Sequence, residues 1–235
     1  MLILMLVPAL VVAIVFHEVA HGWTALMLGD PTAKEQRRLT LNPIRHVDPV
    51  GTLLVPGMLA VMGAPVFGWA KPVPVLMQRL DNPRYGMMAV AAAGPLTNII
   101  LALLGAVALG FAIPDGAQMT AGDTGMSLIA DAGGAVALIA SGLFYFVLIN
   151  TFLAVFNMLP IPPFDGSHIV EGALPRQWVG YYAKLRPYGM LLFFGLIALT
   201  WFAPGLGVLE NTIGVPVDWV MRQYLGLTAY IANLS

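Results

Sequence analysis

No cysteine occurs in the 235 residues, so disulfides and thiolate metal ligands are excluded, and any bound metal must use histidine and carboxylate. Charge is nearly as scarce. Lys, Arg, Asp and Glu make up 10% of the chain, against about one quarter in a soluble domain. With a net charge of −1 there is no broad basic surface, which argues against nucleic acid as a partner. What fills the chain is apolar: 59% of residues, with a mean hydropathy of +0.83. These numbers describe an all-α polytopic membrane protein, a helical bundle whose obligatory partner is the lipid bilayer. A chain of this length has room for one such bundle, so residues 1–235 are expected to form a single domain, with a core over 1–175 and C-terminal membrane helices within 188–235.

Long apolar runs set the elements. The first extends from Met1 to about Leu28 and stops at Gly29-Asp30-Pro31. Residues 1–16 hold no Lys or Arg, and the run continues without a small-residue cleavage site, so it reads as a retained helix and not a signal peptide. Further apolar helices are expected at about Tyr85–Ile113, Gly134–Leu159 and Tyr188–Ala203. The tail, Gly205–Ser235, reads as a last membrane helix or an interfacial one. Residues 50–66 are apolar but short and broken by Gly51, Pro56, Gly57, Gly63 and Pro65, and residues 67–76 alternate prolines with β-branched residues as extended backbone would.

Charge decides how residues 50–66 meet the membrane. If they cross, the basic residues Lys71, Arg79 and Arg84 lie opposite Lys34, Arg37, Arg38 and Arg45. If they enter and leave on one side, these seven join Arg176, Lys184 and Arg186, and ten of the eleven Lys and Arg residues share the cytoplasmic side. Re-entry is the better reading. The bundle should therefore contain a re-entrant, β-like, membrane-embedded segment between its first two core helices, lining a cavity.

Within the first run stands His17-Glu18-Val19-Ala20-His21. Histidines four apart on a helix point the same way and can share one metal, while Glu18 beside them can take a proton from an activated water. Ionisable side chains at bilayer depth are expensive, and a functional site is the default reading of them. The same parity puts Asp165, after the helix that ends near Leu159, on the side of the histidines. Two His and one carboxylate supply the three protein ligands of a catalytic zinc site. Asn150 and Asn157, seven apart, share a helix face; hydrogen bonding between helices and binding of substrate backbone or an oxyanion both stay open for them. For Asn98 a structural role is the better reading, with substrate or oxyanion binding as the alternative. His46 and His168 are expected to be solvated loop histidines.

Several stretches resemble the site-2 protease family of intramembrane zinc metalloproteases: His17–His21, Asn42-Pro-Ile-Arg-His46-Val-Asp48-Pro-Val-Gly51-Thr, Gly68-Trp-Ala-Lys-Pro-Val-Pro74, Ala93-Gly-Pro-Leu-Thr-Asn98, and Asn157-Met-Leu-Pro-Ile-Pro-Pro-Phe-Asp165-Gly. They span most of residues 1–175, in a minimal form without a PDZ or CBS domain, and with Phe164 where the family usually has Leu. The resemblance implies one Zn2+ held by His17, His21 and Asp165, Glu18 as general base, and Asn157 facing the site. It implies hydrolysis of peptide bonds within or near transmembrane segments of membrane-protein substrates, as in regulated intramembrane proteolysis, by a multi-pass protein of the cell (inner) membrane with its site toward the cytoplasm. The rival is a metal transporter or sensor, which has no use for a glutamate between the histidines.

Overall fold

The computed structural model describes residues 2–63, 68–113, 118–122, 125–129 and 135–234. Four helices or helix pairs have the length and apolar composition to cross a membrane: Met5–Met27, Pro83–Ala112, Leu138–Asn157 and Arg176–Thr200. They lie in α1 (Leu2–Met27), α4 (Pro83–Ala112), α5 (Ala135–Asn157), and the pair α7 (Arg176–Ala183) and α8 (Gly189–Phe202). Shorter helices are α2 (Thr32–Glu35), α3 (Val55–Val61) and α6 (Asp165–Ala173), and the chain closes with α9 (Val215–Ala232). Among the described residues the strands are β1 (Gln118–Gly122) and β2 (Gly125–Ile129), an antiparallel hairpin pairing Gly122 with Gly125. It falls in the Gly- and Asp-rich stretch after α4, where the apolar-run reading expected no element.

Local chemistry sets the helix ends. Gly29 takes φ +100°, the left-handed conformation that lets the chain turn off α1, and Asp30 N–H returns to Ala25 O at 2.9 Å. Asn82 caps α4, accepting from Tyr85 N–H, with Pro83 in the first helical position, where its missing N–H costs nothing. Pro8 and Pro95 sit inside α1 and α4, as membrane helices tolerate.

The bundle centres on α4. Going up α1, Ala13 and His17 meet Asn98 and His21 meets Val90, so the two helices are antiparallel. Asn98 meets Asn150, and Gly105 lies against Phe146 and Val147, so α5 is antiparallel to α4 as well. The helix tail runs the other way: Tyr224 Oη donates to Ile99 O, Thr228 Oγ1 donates to Ala106 O, and Ile231 abuts Gly110, so α9 is parallel to α4. Small residues make these approaches possible. A Cβ on Gly110 would lie 2.7 Å from Ile231, and the buried core around α4 is Ala102, Ala106 and Leu109 against Phe144, Val147 and Met221. Outward faces stay apolar, with Leu96, Leu103, Leu104 and Phe111 exposed on α4 as a bilayer-facing helix requires.

The tail thus settles as a packed helix, not a surface one. Residues 49–61 form a short apolar helix, π-type over Pro49–Leu54 and then α3; the end of the 50–66 reading and the start of the 67–76 reading fall outside the described residues. Residues 68–76 carry no regular element, and no strand pairs with them among the described residues, so the β-like part of the expectation is not borne out there.

Candidate active site

Every group of the site lies at the end of the bundle where α1 finishes and α4 starts. One turn of α1 separates His17 from His21, which turns both rings toward α4. There Gly94 leaves the room: a Cβ would stand 2.5 Å from His21 Nε2 and 2.6 Å from His17 Cε1. The rings meet edge to face, centroids 4.6 Å apart, and their Nε2 atoms are separated by 3.0 Å. Both are buried.

Asp165 arrives from the other direction. After α5 the chain turns through Pro160 to Phe164, and Gly166 lets it fold back on the helix end, since a Cβ there would be 2.3 Å from Met158 O. Phe164 is buried against Phe156, and Ser167 Oγ donates to Phe164 O at 2.7 Å. The result starts α6 with Asp165 pointing at the histidines: its Oδ2 lies 3.1 Å from His17 Nε2 and 3.3 Å from His21 Nε2.

The donor set fits a metal. His17 Nδ1 faces Asn98 Oδ1 at 2.6 Å, and His21 Nδ1 faces Val90 O at 2.7 Å. Each Nδ1 must supply the hydrogen to its carbonyl oxygen, so in the neutral rings both Nε2 atoms are bare lone pairs. Asp165 Oδ2 is buried without a hydrogen-bond donor. Three acceptor atoms therefore converge with no proton among them, an arrangement that a cation stabilises. Among the described residues this is the one cluster able to hold a metal.

Half-buried Glu18 follows His17 directly on α1, and its Oε2 accepts the N–H of Val73 at 2.8 Å. Residues 68–76 are pinned here by three further contacts: Lys71 N–H to His46 O, Arg38 Nη2 to Lys71 O, and Leu76 N–H to the fully buried Asp30. No local pattern in the sequence pairs Val73 with Glu18, fifty-five positions apart.

The remaining candidates separate. Asn98 is fully buried, with its Oδ1 2.6 Å from His17 Nδ1. The Asn157 amide donates to Leu153 O of its own helix at 3.0 Å. His46 corrects the expectation of a solvated ring: it is 3% exposed, with Nε2 2.8 Å from Thr40 O. The half-buried His168 lies 3.9 Å from Glu171, which pairs with Arg186, and burial beside that guanidinium keeps its pKa below the usual imidazole value.

Comparison with known proteins agrees with this geometry. Over 195 residues, 81% of the chain, it is 37% identical to "Putative zinc metalloprotease YwhC" of Bacillus subtilis (strain 168), covering 78% of that protein. It is 25% identical over 194 residues to "Putative zinc metalloprotease Rip2" of Mycolicibacterium smegmatis, covering 83% of this chain and 66% of that one. No solved structure matches the chain significantly. The sequence profile of Peptidase family M50 matches residues 5–196, which with these relatives shows that the chain is a membrane metalloprotease homologue belonging to Peptidase family M50.

Proposed function

We propose that the chain is an intramembrane zinc endopeptidase that hydrolyses peptide bonds within or near transmembrane segments of membrane-protein substrates. The observation that carries this reading is the convergence of His17 Nε2, His21 Nε2 and Asp165 Oδ2 within 3.3 Å, all three without a proton to share. These residues would hold one Zn2+, which when bound supplies Lewis acidity toward a peptide carbonyl and makes water a nucleophile near neutral pH.

The chain's own groups do the rest. Glu18 is held by Val73 N–H through Oε2, which leaves Oε1 to take a proton from water and return it to the leaving amine. Residues 68–76 run beside Glu18, which holds the N–H of Val73, and form no strand among the described residues, so their backbone is offered to an unwound substrate segment. Both amide hydrogens of Asn98 are committed to Ala13 O and Asn150 Oδ1, whereas Asn157 uses one on Leu153 O and keeps the other for a substrate carbonyl or oxyanion.

Two features support a cytoplasmic site and a re-entrant 50–66. The helix Pro49–Val61 is shorter than the roughly 20 residues a crossing needs. Gly51 O accepts Trp69 N–H at 3.0 Å and Thr52 Oγ1 donates to Trp69 O at 2.9 Å, so the chain leaves and returns at one level. The basic loops then collect at the site end, the cytoplasmic face by the positive-inside rule. Metal transport would need a pathway of ligands, and the described residues offer one cluster at one end.

The test is metal analysis of the purified protein joined to cleavage of a single-span membrane substrate. Zinc near one per chain, with cleavage lost by at least about a hundredfold in Glu18→Gln while zinc is retained, is the expected result. Cleavage at the wild-type rate in Glu18→Gln overturns the assignment.

A further inference from the structure

Asn98 and Asn150 are fully buried in a bundle core, where an amide must find partners or cost free energy. Their partners leave one solution. Asn150 Nδ2 is 2.8 Å from Phe146 O, a backbone carbonyl that can only accept, so the nitrogen of that amide faces Phe146 and its Oδ1 faces α4. Asn98 Nδ2 is 3.1 Å from Ala13 O, another obligate acceptor, and 2.8 Å from Asn150 Oδ1. Both hydrogens of the Asn98 amide are thereby used, and only Oδ1 remains for His17. A carbonyl oxygen at 2.6 Å from His17 Nδ1 requires the ring to carry its hydrogen there. The polar chain has one direction, fixed at both ends by backbone: His17 Nδ1–H to Asn98, Asn98 to Asn150 and Ala13, Asn150 to Phe146.

We propose that Asn98, itself oriented by Asn150, is a positioning residue that locks the His17 ring with its bare Nε2 toward His21 and Asp165. The inference rests on the metal-site reading above and assigns to α4 and α5 a role in it that neither helix plays by ligation. His21 is served differently, by Val90 O, a backbone group that no side-chain substitution removes. The two rings are thus unequally protected: one by main chain, the other by a relay of two side chains that spans three helices. Loosening the relay frees the His17 ring to turn about its side-chain torsions and present Nδ1, or neither nitrogen, to the metal.

The experiment uses full-length protein in lipid nanodiscs, loaded with zinc and titrated with a competing chelator. Asn98→Leu keeps the volume and removes the acceptor; Asn98→Asp keeps an acceptor for His17. About tenfold or greater weakening of zinc retention in Asn98→Leu, largely restored in Asn98→Asp, is expected, whereas a merely space-filling role predicts that the aspartate is the worse of the two. The second readout needs no Asn98 variant: with only four histidines in the chain, 15N-labelled imidazoles can be assigned through the signal lost in His17→Gln, and His17 should carry its hydrogen on Nδ1. Wild-type zinc retention in Asn98→Leu overturns the inference and leaves the metalloprotease reading standing, as does a His17 whose Nδ1 is bare. Failure of the wild-type protein to hold zinc at all defeats that reading first, and this inference with it.

Discussion

At the scale of single residues the site depends on a small atom count in two places. Asp165→Ala removes the carboxylate that stands 3.1 and 3.3 Å from the two Nε2 atoms, so zinc content and cleavage should fall together. Full occupancy in that variant would mean that another side chain completes the donor set. Gly94 acts by having none. An added methyl would overlap both imidazoles at 2.5 to 2.6 Å, and the rings are packed between helices with nowhere to retreat, so Gly94→Ala should spread the histidines. Zinc retention at least about tenfold weaker, in protein whose helix content by circular dichroism is unchanged, is the expected outcome. The pentapeptide of α1 was legible because two histidines four apart mean the same thing in any helix. Gly94 was not: its role is the absence of a Cβ opposite side chains more than seventy positions away, and only the resemblance through Ala93-Gly-Pro flagged the stretch.

Elements come next, and here residues 68–76 behave as a strap tied to α1 and the turn after it. Asp30 is the strongest knot. Its carboxylate, fully buried, accepts from Thr32 N–H, Thr32 Oγ1 and Leu76 N–H at 2.5 to 3.0 Å, and so joins the end of α1 to the strap. Hydrogen bonds to a charged group contribute about 1.5 to 3 kcal/mol each, and only the Leu76 bond ties the strap, so Asp30→Ala should lower stability by at least about 2 kcal/mol and free the strap first. Limited proteolysis is the measurement: cutting within 68–76 should become faster than in wild type, and an unchanged cutting pattern would show that the remaining contacts suffice. The long helices were readable because runs of apolar residues near membrane length leave few alternatives. The helices α6 and α7 were not, since nine and eight residues of mixed polarity carry no such run, and the stretch was read only as basic. The burial of His46 was hidden for a related reason: it depends on Thr40 and on the returning strap, and no pattern around residue 46 encodes either.

For the whole molecule, the direction of α9 constrains how the chain threads the bilayer. Because α9 runs parallel to α4, its first residues point to the site end, the end at which α8 also starts, with Gly189 against Pro162 and Phe193 5.6 Å from Phe164. The segment between them must therefore leave and return on the same side. At 14 residues α8 is about 21 Å long, short of a hydrocarbon core of about 30 Å, whereas α9 with 18 residues reaches about 27 Å. Length and composition alone favour 176–200 as a span over the tail; the packing of Tyr224, Thr228 and Ile231 along α4 favours the tail. The absence of native cysteine allows a direct decision by single-cysteine labelling in sealed vesicles. Positions Lys34, Gln78, Lys184 and Asn211 are expected to react from the cytoplasmic side, and Asn233 from the opposite side. Reaction of Gln78 opposite Lys34 would make residues 50–66 a crossing and part Asp165 from the histidines. Reaction of Asn211 opposite Lys184 would make α8 the full crossing and would require α9 to run antiparallel to α4, against the contacts of Tyr224, Thr228 and Ile231 with that helix.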